Sequence, residues 1–329
     1  MRIRPLPLLA AAAAVALLAG CSSAAAAPAS SGPASASPEH VALKNCDTTV
    51  TFDHPPQRVI SIKSTSTEMM LALGVGDRIV GTAYQDGPVP AKWAATVKGV
   101  RSLSDFMPSE ESVLAQKPDL VYSGWESAFS ADQAGTRGEL ASLGVASYVQ
   151  PAACRSTPVA KLTFPEVFRE IREAGRIFGV TKTAEKVVAR QQKQLADIHR
   201  DTRGLTALWY SSGDEAPYVG GGTGAPELVL ETAGLTNVAA DQKQTWTTLG
   251  WESVVADDPD VIVLIDADWN TAAAKITKLE SDPATAALSA VKNHRYITIP
   301  FPEGEAGVRS VDAAASVAAQ LQKLNLPSR

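Results

Sequence analysis

The sequence predicts an α/β fold of two Rossmann-like lobes, each with a mostly parallel sheet, joined by one long α-helix across a ligand cleft. Three observations predict it. Strands alternate with helices along the chain, the pattern of parallel sheets covered on both faces. Glu111 to Val121 (ESVLAQKPDLV) is echoed by Glu252 to Ile262 (ESVVADDPDVI), so one structural unit occurs twice. Between the copies, Leu162 to Phe178 (LTFPEVFREIREAGRIF) carries Thr163 and Glu166 at capping-box spacing and Pro165 in the first turn. Val167, Ile171, Ala174 and Phe178 recur there at helical spacing. In open α/β sheets ligands bind beyond the carboxyl ends of the strands, which puts the expected site between the lobes.

The chain opens with Arg2 and Arg4, an apolar run from Leu6 to Leu18, and Leu18-Ala19-Gly20-Cys21. Residues 1–20 read as a signal peptide, too short for a lasting membrane span. Leu-Ala-Gly-Cys resembles a bacterial lipobox, which assigns Cys21 as a lipidation site; a plain secreted protein is the alternative. Residues 21–45, rich in Ala, Ser and Pro, read as a flexible tether. The N-terminal lobe is expected over 46–161, the interlobe helix over 162–180 and the C-terminal lobe over 181–329.

Within the first lobe, Thr48 to Phe52 alternates as an edge strand, and His54-Pro55-Pro56 stops it. Arg58 to Ile62 predicts a buried strand, Lys63 to Thr67 a polar loop, Glu68 to Leu73 a helix and Arg78 to Tyr84 the next strand. Glu110 to Ala115 predicts a helix leading through Lys117-Pro118-Asp119 into a strand at Leu120 to Tyr122. Gly138 to Leu143 and then Val145 to Val149 complete the lobe. After the central helix, Thr183 to His199 predicts a helix packed on the second lobe. That lobe follows as strand Thr206 to Tyr210, a Gly-rich loop at Gly220 to Gly224, a helix through Pro226, helix Trp251 to Val255, and strands Asp260 to Asp266 and Tyr296 to Phe301. An Ala-rich helix, Val311 to Leu324, closes it.

At 329 residues and 45% hydrophobic, the chain supports two cores. It holds 30 basic and 35 acidic residues; loss of Arg2 and Arg4 with the signal peptide leaves 28 against 35, a formal charge of −7. That sign, with no basic patch, argues against a nucleic-acid partner. Cys46 and Cys154 read as a disulfide in an exported chain, two buried free thiols being the alternative. The four histidines are scattered, no HExxH, GxSxG or Walker pattern occurs, and Gly220 to Gly224 lacks the Lys-Ser/Thr of a phosphate-binding loop. Neither catalysis, a resident metal nor a cofactor is expected. The rival reading, a secreted hydrolase, would rest on Asp266 with Asp268 or Glu303 with Glu305.

Aromatic and charged residues at strand ends supply a binding site instead. Trp125, Trp209 with Tyr210, Trp246 and Trp269 fall at or just past predicted strands, where flat faces on opposed lobes would clamp a planar ligand. Tyr84 or Tyr122 would suit haem as an axial ligand. Lys63, Arg155 and Arg309 sit on strand-end loops, with Ser64, Thr65 and Ser66 as donors at a helix start, a set that would capture a phosphate or carboxylate.

The order of lipobox, tether, PPQRVISIKSTSTEMMLALGVGDRIVG, ESVLAQKPDLV, mid-chain helix and VIVLIDADWN resembles the helix-linked (class III) solute-binding proteins of ABC transporters, from about Cys46 to the end. Members of that class carry siderophores, haem and cobalamin. Within it, VISIKSTSTE, GTAYQDGPVP, DLVYSGWES, YVQPAACR, LTALWYSSG and GEAGVRS are similar to a narrower actinobacterial group of binding proteins for the deazaflavin precursor F420-0. The resemblance implies a monomer, lipid-anchored to the outer face of the cell membrane, that delivers a small-molecule ligand to a permease. It also implies one exposed Glu per lobe docking that permease: Glu111 in the first lobe, Glu227 or Glu231 in the second. F420-0 would match both the aromatic and the cationic residues; a ferric siderophore, haem or cobalamin is the alternative.

Overall fold

The computed structural model describes residues 40–157 and 160–326. The residues read as a signal peptide, Cys21 and most of the stretch read as a tether lie outside the described residues. The first ordered unit is an antiparallel hairpin of β1 (Val41–Asn45) and β2 (Thr48–Phe52). β1 falls inside the stretch read as tether; Val41 enters the core beside Val50 and Phe52, which makes it a strand. The hairpin is fastened to the lobe covalently, because Cys46 in its turn is bonded to Cys154 with Cα atoms 5.2 Å apart. Asn45 adds two 2.8 Å hydrogen bonds, donating from Nδ2 to the Val149 carbonyl and accepting the Val149 N–H on Oδ1.

The N-terminal sheet comprises β3 (Val59–Ile62), β4 (Ile79–Ala83), β5 (Ser102–Ser104), β6 (Leu120–Ser123) and β7 (Ala146–Val149) in the order β5-β4-β3-β6-β7, all parallel. β3 and β6 are neighbours although β4 and β5 lie between them in sequence. The winding therefore reverses there, and the carboxyl ends of those two strands form the crevice in which such sheets bind ligands. Gly124, just past β6, is required by that closeness: a Cβ there would stand 2.2 Å from Thr65 Oγ1. The expected polar loop at Lys63 to Thr67 is instead mostly helix, Ser64–Ala72. Its hydroxyls are satisfied locally, Ser66 Oγ bonding the carbonyls of Ile62 and Lys63 at 2.7 and 2.9 Å.

The C-terminal sheet is built from β8 (Thr206–Ser212), β9 (Tyr218–Gly220), β10 (Thr236–Asn237), β11 (Trp246–Thr248), β12 (Val261–Asp266) and β13 (Tyr296–Pro300). Its order is β11-β9-β8-β12-β13, with β10 beside β8. β8, β10, β12 and β13 run parallel, but β9 is antiparallel to both neighbours, so this sheet is mixed. The expectation of mostly parallel sheets fails at β9 and β11, whose short Gly- and Thr-containing sequences carry no periodic signal. The Gly-rich loop after β9 is close-packed: a Cβ on Gly222 would lie 2.0 Å from the Ala240 carbonyl oxygen.

The internal echo has a structural cause. Both copies are a helix, Glu110–Leu114 or Trp251–Asp257, followed by a turn and a strand, β6 or β12, that pairs with the first strand of its sheet. At equivalent positions Lys117 and Asp258 hold left-handed backbone, φ 52° and 38°. The aspartate two residues on receives backbone N–H groups at the entry of the neighbouring strand. Asp119 accepts from Gln57 and Arg58 at 2.7 and 2.9 Å, and Asp260 from Thr206 at 2.8 Å.

The central helix forms at Phe164–Ile177, with the Thr163–Glu166 capping box made at both bonds. Fourteen residues at 1.5 Å give it a length of about 21 Å. Its apolar face belongs to one continuous core that includes Val59, Met69 and Tyr122 of the first lobe and Trp209, Val263 and Val311 of the second. Arg78 Nη1 also donates 2.9 Å to the Phe178 carbonyl at the helix end. The lobes are coupled through packed side chains and not only through a peptide link.

Candidate functional site

Two cavities that share Ala153, Arg155, Trp246 and Glu305 occupy the space between the lobes. The larger, about 330 Å³, is a slot walled by Trp125 on one lobe and Tyr218, Trp246, Trp269 and Phe301 on the other. The smaller, about 190 Å³, runs from there beneath the linker helix past Arg169 and Glu170. Trp246 stacks on Tyr218 with ring centres 5.9 Å apart and planes 19° from parallel. Trp269, 41% exposed, packs edge-on against Phe301 at 5.4 Å. Flat faces on opposed walls can hold a planar ring.

Lys63 is a correction. It was expected as a ligand-facing cation, yet it is 0% exposed, with its ammonium bonded to buried Asp86. The ammonium also lies 4.0 Å from the Tyr84 ring centre, 3.9 Å from Trp125 and 4.6 Å from Phe301, an aromatic cage closed over it. Burial lowers its pKa, opposed by Asp86 and Glu305. Its backbone, at φ 76° and ψ 146°, occupies a region nearly restricted to glycine. Ser64 Oγ accepts the Asp86 N–H at 2.8 Å and so supports the cage, Ser66 Oγ is taken up by the Ile62 and Lys63 carbonyls, and Thr65 is buried. Tyr84 stands one ring behind Trp125, edge-on at 5.4 Å.

Arg309 is corrected for the same reason. Its guanidinium bonds Glu303 and, across the lobes, Glu68 at 3.4 Å. Burial pushes the Glu68 carboxyl up to about 7, against the pull of Arg309, and raises Glu303 likewise. On the opposite side of the cleft, Trp269 Nε1 donates to Asp86 Oδ1 at 3.5 Å and the Asp268 N–H to the Asp86 carbonyl at 3.3 Å. Cations that looked available in the sequence thus hold the lobes to each other.

Tyr210 and Trp209 face the core. Tyr210 packs on Trp251 and donates 2.7 Å to the Gly213 carbonyl, and Trp209 is fully buried. Tyr122 is buried as well, its hydroxyl donating to Gln150 Oε1 at 2.7 Å, which removes it as a haem ligand. Of the expected residues, Trp125, Arg155, Trp246 and Trp269 come together at the slot. Arg155 is exposed and its guanidinium makes no ion pair or hydrogen bond among the described residues. Residues not foreseen are Tyr218, Phe301 and Arg169, and Glu305 was singled out only for the hydrolase reading; Arg169 is exposed on the linker helix, also without an ion pair among the described residues. Helical spacing could have found Arg169, three positions after Glu166 and so on the same side of the helix as that cavity residue.

The acidic candidates separate by exposure. Glu111 is exposed in the first turn of its helix. Glu227 is 4% exposed, bonded by Asn237 Nδ2 at 3.0 Å and by Lys161 at 3.4 Å, whereas the Glu231 side chain is 46% exposed beside Lys161. Burial withdraws Glu227 as a docking residue. Asp266 accepts the Ala272 N–H at 2.7 Å and Glu303 is held by Arg309, so one member of each hydrolase pair is engaged within the protein. Among the described residues, no helix is long and apolar enough to cross a membrane.

Comparison with known proteins places this geometry. A model of the family described as periplasmic binding protein matches residues 59–303. An uncharacterized ABC transporter substrate-binding lipoprotein, YvrC of Bacillus subtilis (strain 168), is 27% identical over 276 residues, covering 82% of this chain and 81% of that protein. A cobalamin-binding protein of Halobacterium salinarum is 28% identical over 226 residues, covering 66% of this chain and 56% of that protein. The crystal structure of an ABC-type Fe3+-hydroxamate transport system from Saccharomonospora viridis superposes with a TM-score of 0.76 at 29% identity, covering 85% of this chain and 98% of that one.

Proposed function

The chain belongs to the periplasmic binding protein family, and from that premise we propose that it captures a planar, anionic solute between its lobes. It is a substrate-binding protein of an ABC importer and works outside the cytoplasm; its family is one of binding proteins, not enzymes. The observation that carries the ligand reading is the aromatic slot with two guanidinium groups, Arg155 and Arg169, facing its cavities without ion pairs among the described residues. F420-0 joins a flat deazaflavin ring to a phosphodiester and a carboxylate, and so suits stacking walls with two cations. Anchoring at Cys21, a monomeric state, and docking to the permease through Glu111 and Glu231 complete this reading.

A corrinoid is the second reading, favoured by the relative named as a cobalamin-binding protein. Its broad face would lie on the same tryptophans, but its bulk requires the lobes to part beyond cavities of about 330 and 190 Å³. A ferric hydroxamate would use the arginines more than the rings.

Titrating the protein from Cys21 onward with F420-0, cobalamin, a ferric hydroxamate and haem, while following Trp fluorescence, separates these readings. F420-0 is expected to bind most tightly, and Arg155→Ala to weaken it roughly tenfold to a hundredfold, the range of a lost charged hydrogen bond. Tight binding of cobalamin with none of F420-0 overturns the first reading in favour of the second.

A further inference from the structure

Four carboxylates line the two cavities: Glu126, Glu166, Glu170 and Glu305. Three of them already hold the protein itself. Glu126 accepts the backbone N–H groups of Arg155 and Ser156 and the Ser156 hydroxyl, fixing the loop that presents Arg155. Glu166 closes the cap of the linker helix, and Glu170 is buried against Gln150. Glu305 differs: it borders both cavities, is partly exposed, and shares the wall of the larger one with Trp125. A carboxylate offers about four lone-pair sites, so acceptor capacity remains on the cavity side. Lys63 and Arg155 draw on it only by charge.

We propose that Glu305 selects the ligand by accepting an N–H from the edge of a planar heterocycle, so the slot takes rings with an amide- or imide-type N–H in addition to an anionic group. The inference deepens the reading of the cleft given above and rests on it. Backbone geometry explains why this glutamate and not Glu303 faces the ligand. The chain leaves the short helix Phe301–Gly304 in extended conformation at Glu305, φ −100° and ψ 153°, while Glu303 within the helix bonds Arg309. Burial pushes the Glu305 carboxyl up to about 7, with Asp86 adding to the rise and Lys63, Arg155 and Trp125 opposing it. Accepting an N–H favours the ionised form, so binding near neutral pH releases protons.

The test compares F420-0 with the same molecule methylated at the ring N–H, each titrated into the protein from Cys21 onward and into its Glu305→Leu and Glu305→Gln variants. In the unaltered protein, methylation is expected to weaken binding tenfold or more; in Glu305→Leu the two probes should agree within about threefold, and Glu305→Gln should restore part of the preference. Calorimetry in buffers of different ionisation heat should register proton release with F420-0 that Glu305→Leu abolishes. Equal binding of both probes to the unaltered protein, which needs no variant to fold, overturns the role of Glu305 while leaving the deazaflavin reading intact. Failure of both probes to bind overturns that reading and this inference with it.

Discussion

Glu170 offers the sharpest test of how the lobes are joined. It sits on the linker helix, 3% exposed, accepting from Gln150 Nε2 at 3.3 Å; Gln150 in turn accepts from Tyr122 at 2.7 Å and donates to the Ala306 carbonyl of the other lobe at 3.3 Å. Burial pushes its carboxyl from 4.5 up to about 8, with Gln150 opposing and Glu173 adding to the rise. The folded protein therefore keeps a proton that the unfolded chain gives up. The stability this contributes is complete below pH 4.5 and is lost as pH rises through about 8. At about 1.4 kcal/mol per pH unit, the interval from 4.5 to about 8 sets an upper bound of about 5 kcal/mol. Glu170→Gln keeps the shape and removes the titration. Urea unfolding of both proteins from pH 5 to 9, followed by Trp fluorescence, should show the variant gaining on the parent by roughly 2–4 kcal/mol across that range. Glu68 and Glu305, each pushed up to about 7, titrate in both proteins and cancel in the difference. A difference that stays level from pH 5 to 8.5 refutes a buried, proton-holding Glu170.

Three further outcomes are expected. Lys63→Met leaves Asp86 buried without its cation and should cost about 3–5 kcal/mol, read as a lowered melting temperature; an unchanged melt would place Asp86 in contact with solvent. Cys46→Ser with Cys154→Ser opens a loop of 108 residues, for which the chain-entropy model gives about 4–5 kcal/mol, and the denaturant midpoint should fall accordingly. A midpoint equal to that of the oxidised parent would show that the hairpin is held without the bond. Glu111→Ala and Glu231→Ala, both exposed, should lower ligand uptake by cells while leaving affinity in solution unchanged; a loss of affinity would place them in binding instead of docking.

Features that depend on near neighbours were legible in the sequence. The linker helix formed at Phe164–Ile177 because its cap, Pro165 and apolar stripe are local signals. The echo ESVLAQKPDLV and ESVVADDPDVI became the same helix, left-handed turn and strand, because its aspartates bond the adjacent strand in both sheets. The Cys46–Cys154 bond spans 108 residues and was legible by count instead, these being the two cysteines after Cys21. The short strands β9 and β11 stayed invisible, since three residues carry no period.

Only the tertiary structure decided which charges and rings face the ligand. Lys63 and Arg309 have the composition of ligand-binding cations, but Asp86 lies 23 residues from the first and Glu68 lies 241 from the second, and folding brings each carboxylate to its cation. Tyr210 and Tyr218 stand on neighbouring antiparallel strands; packing on Trp251 turns one inward, and stacking on Trp246 holds the other at the slot. Sequence determined the scaffold because hydrogen-bonded helices and strands are specified by local pattern. The binding surface depended on charge neutralisation and side-chain direction across long separations, and these exist only once the two lobes have met.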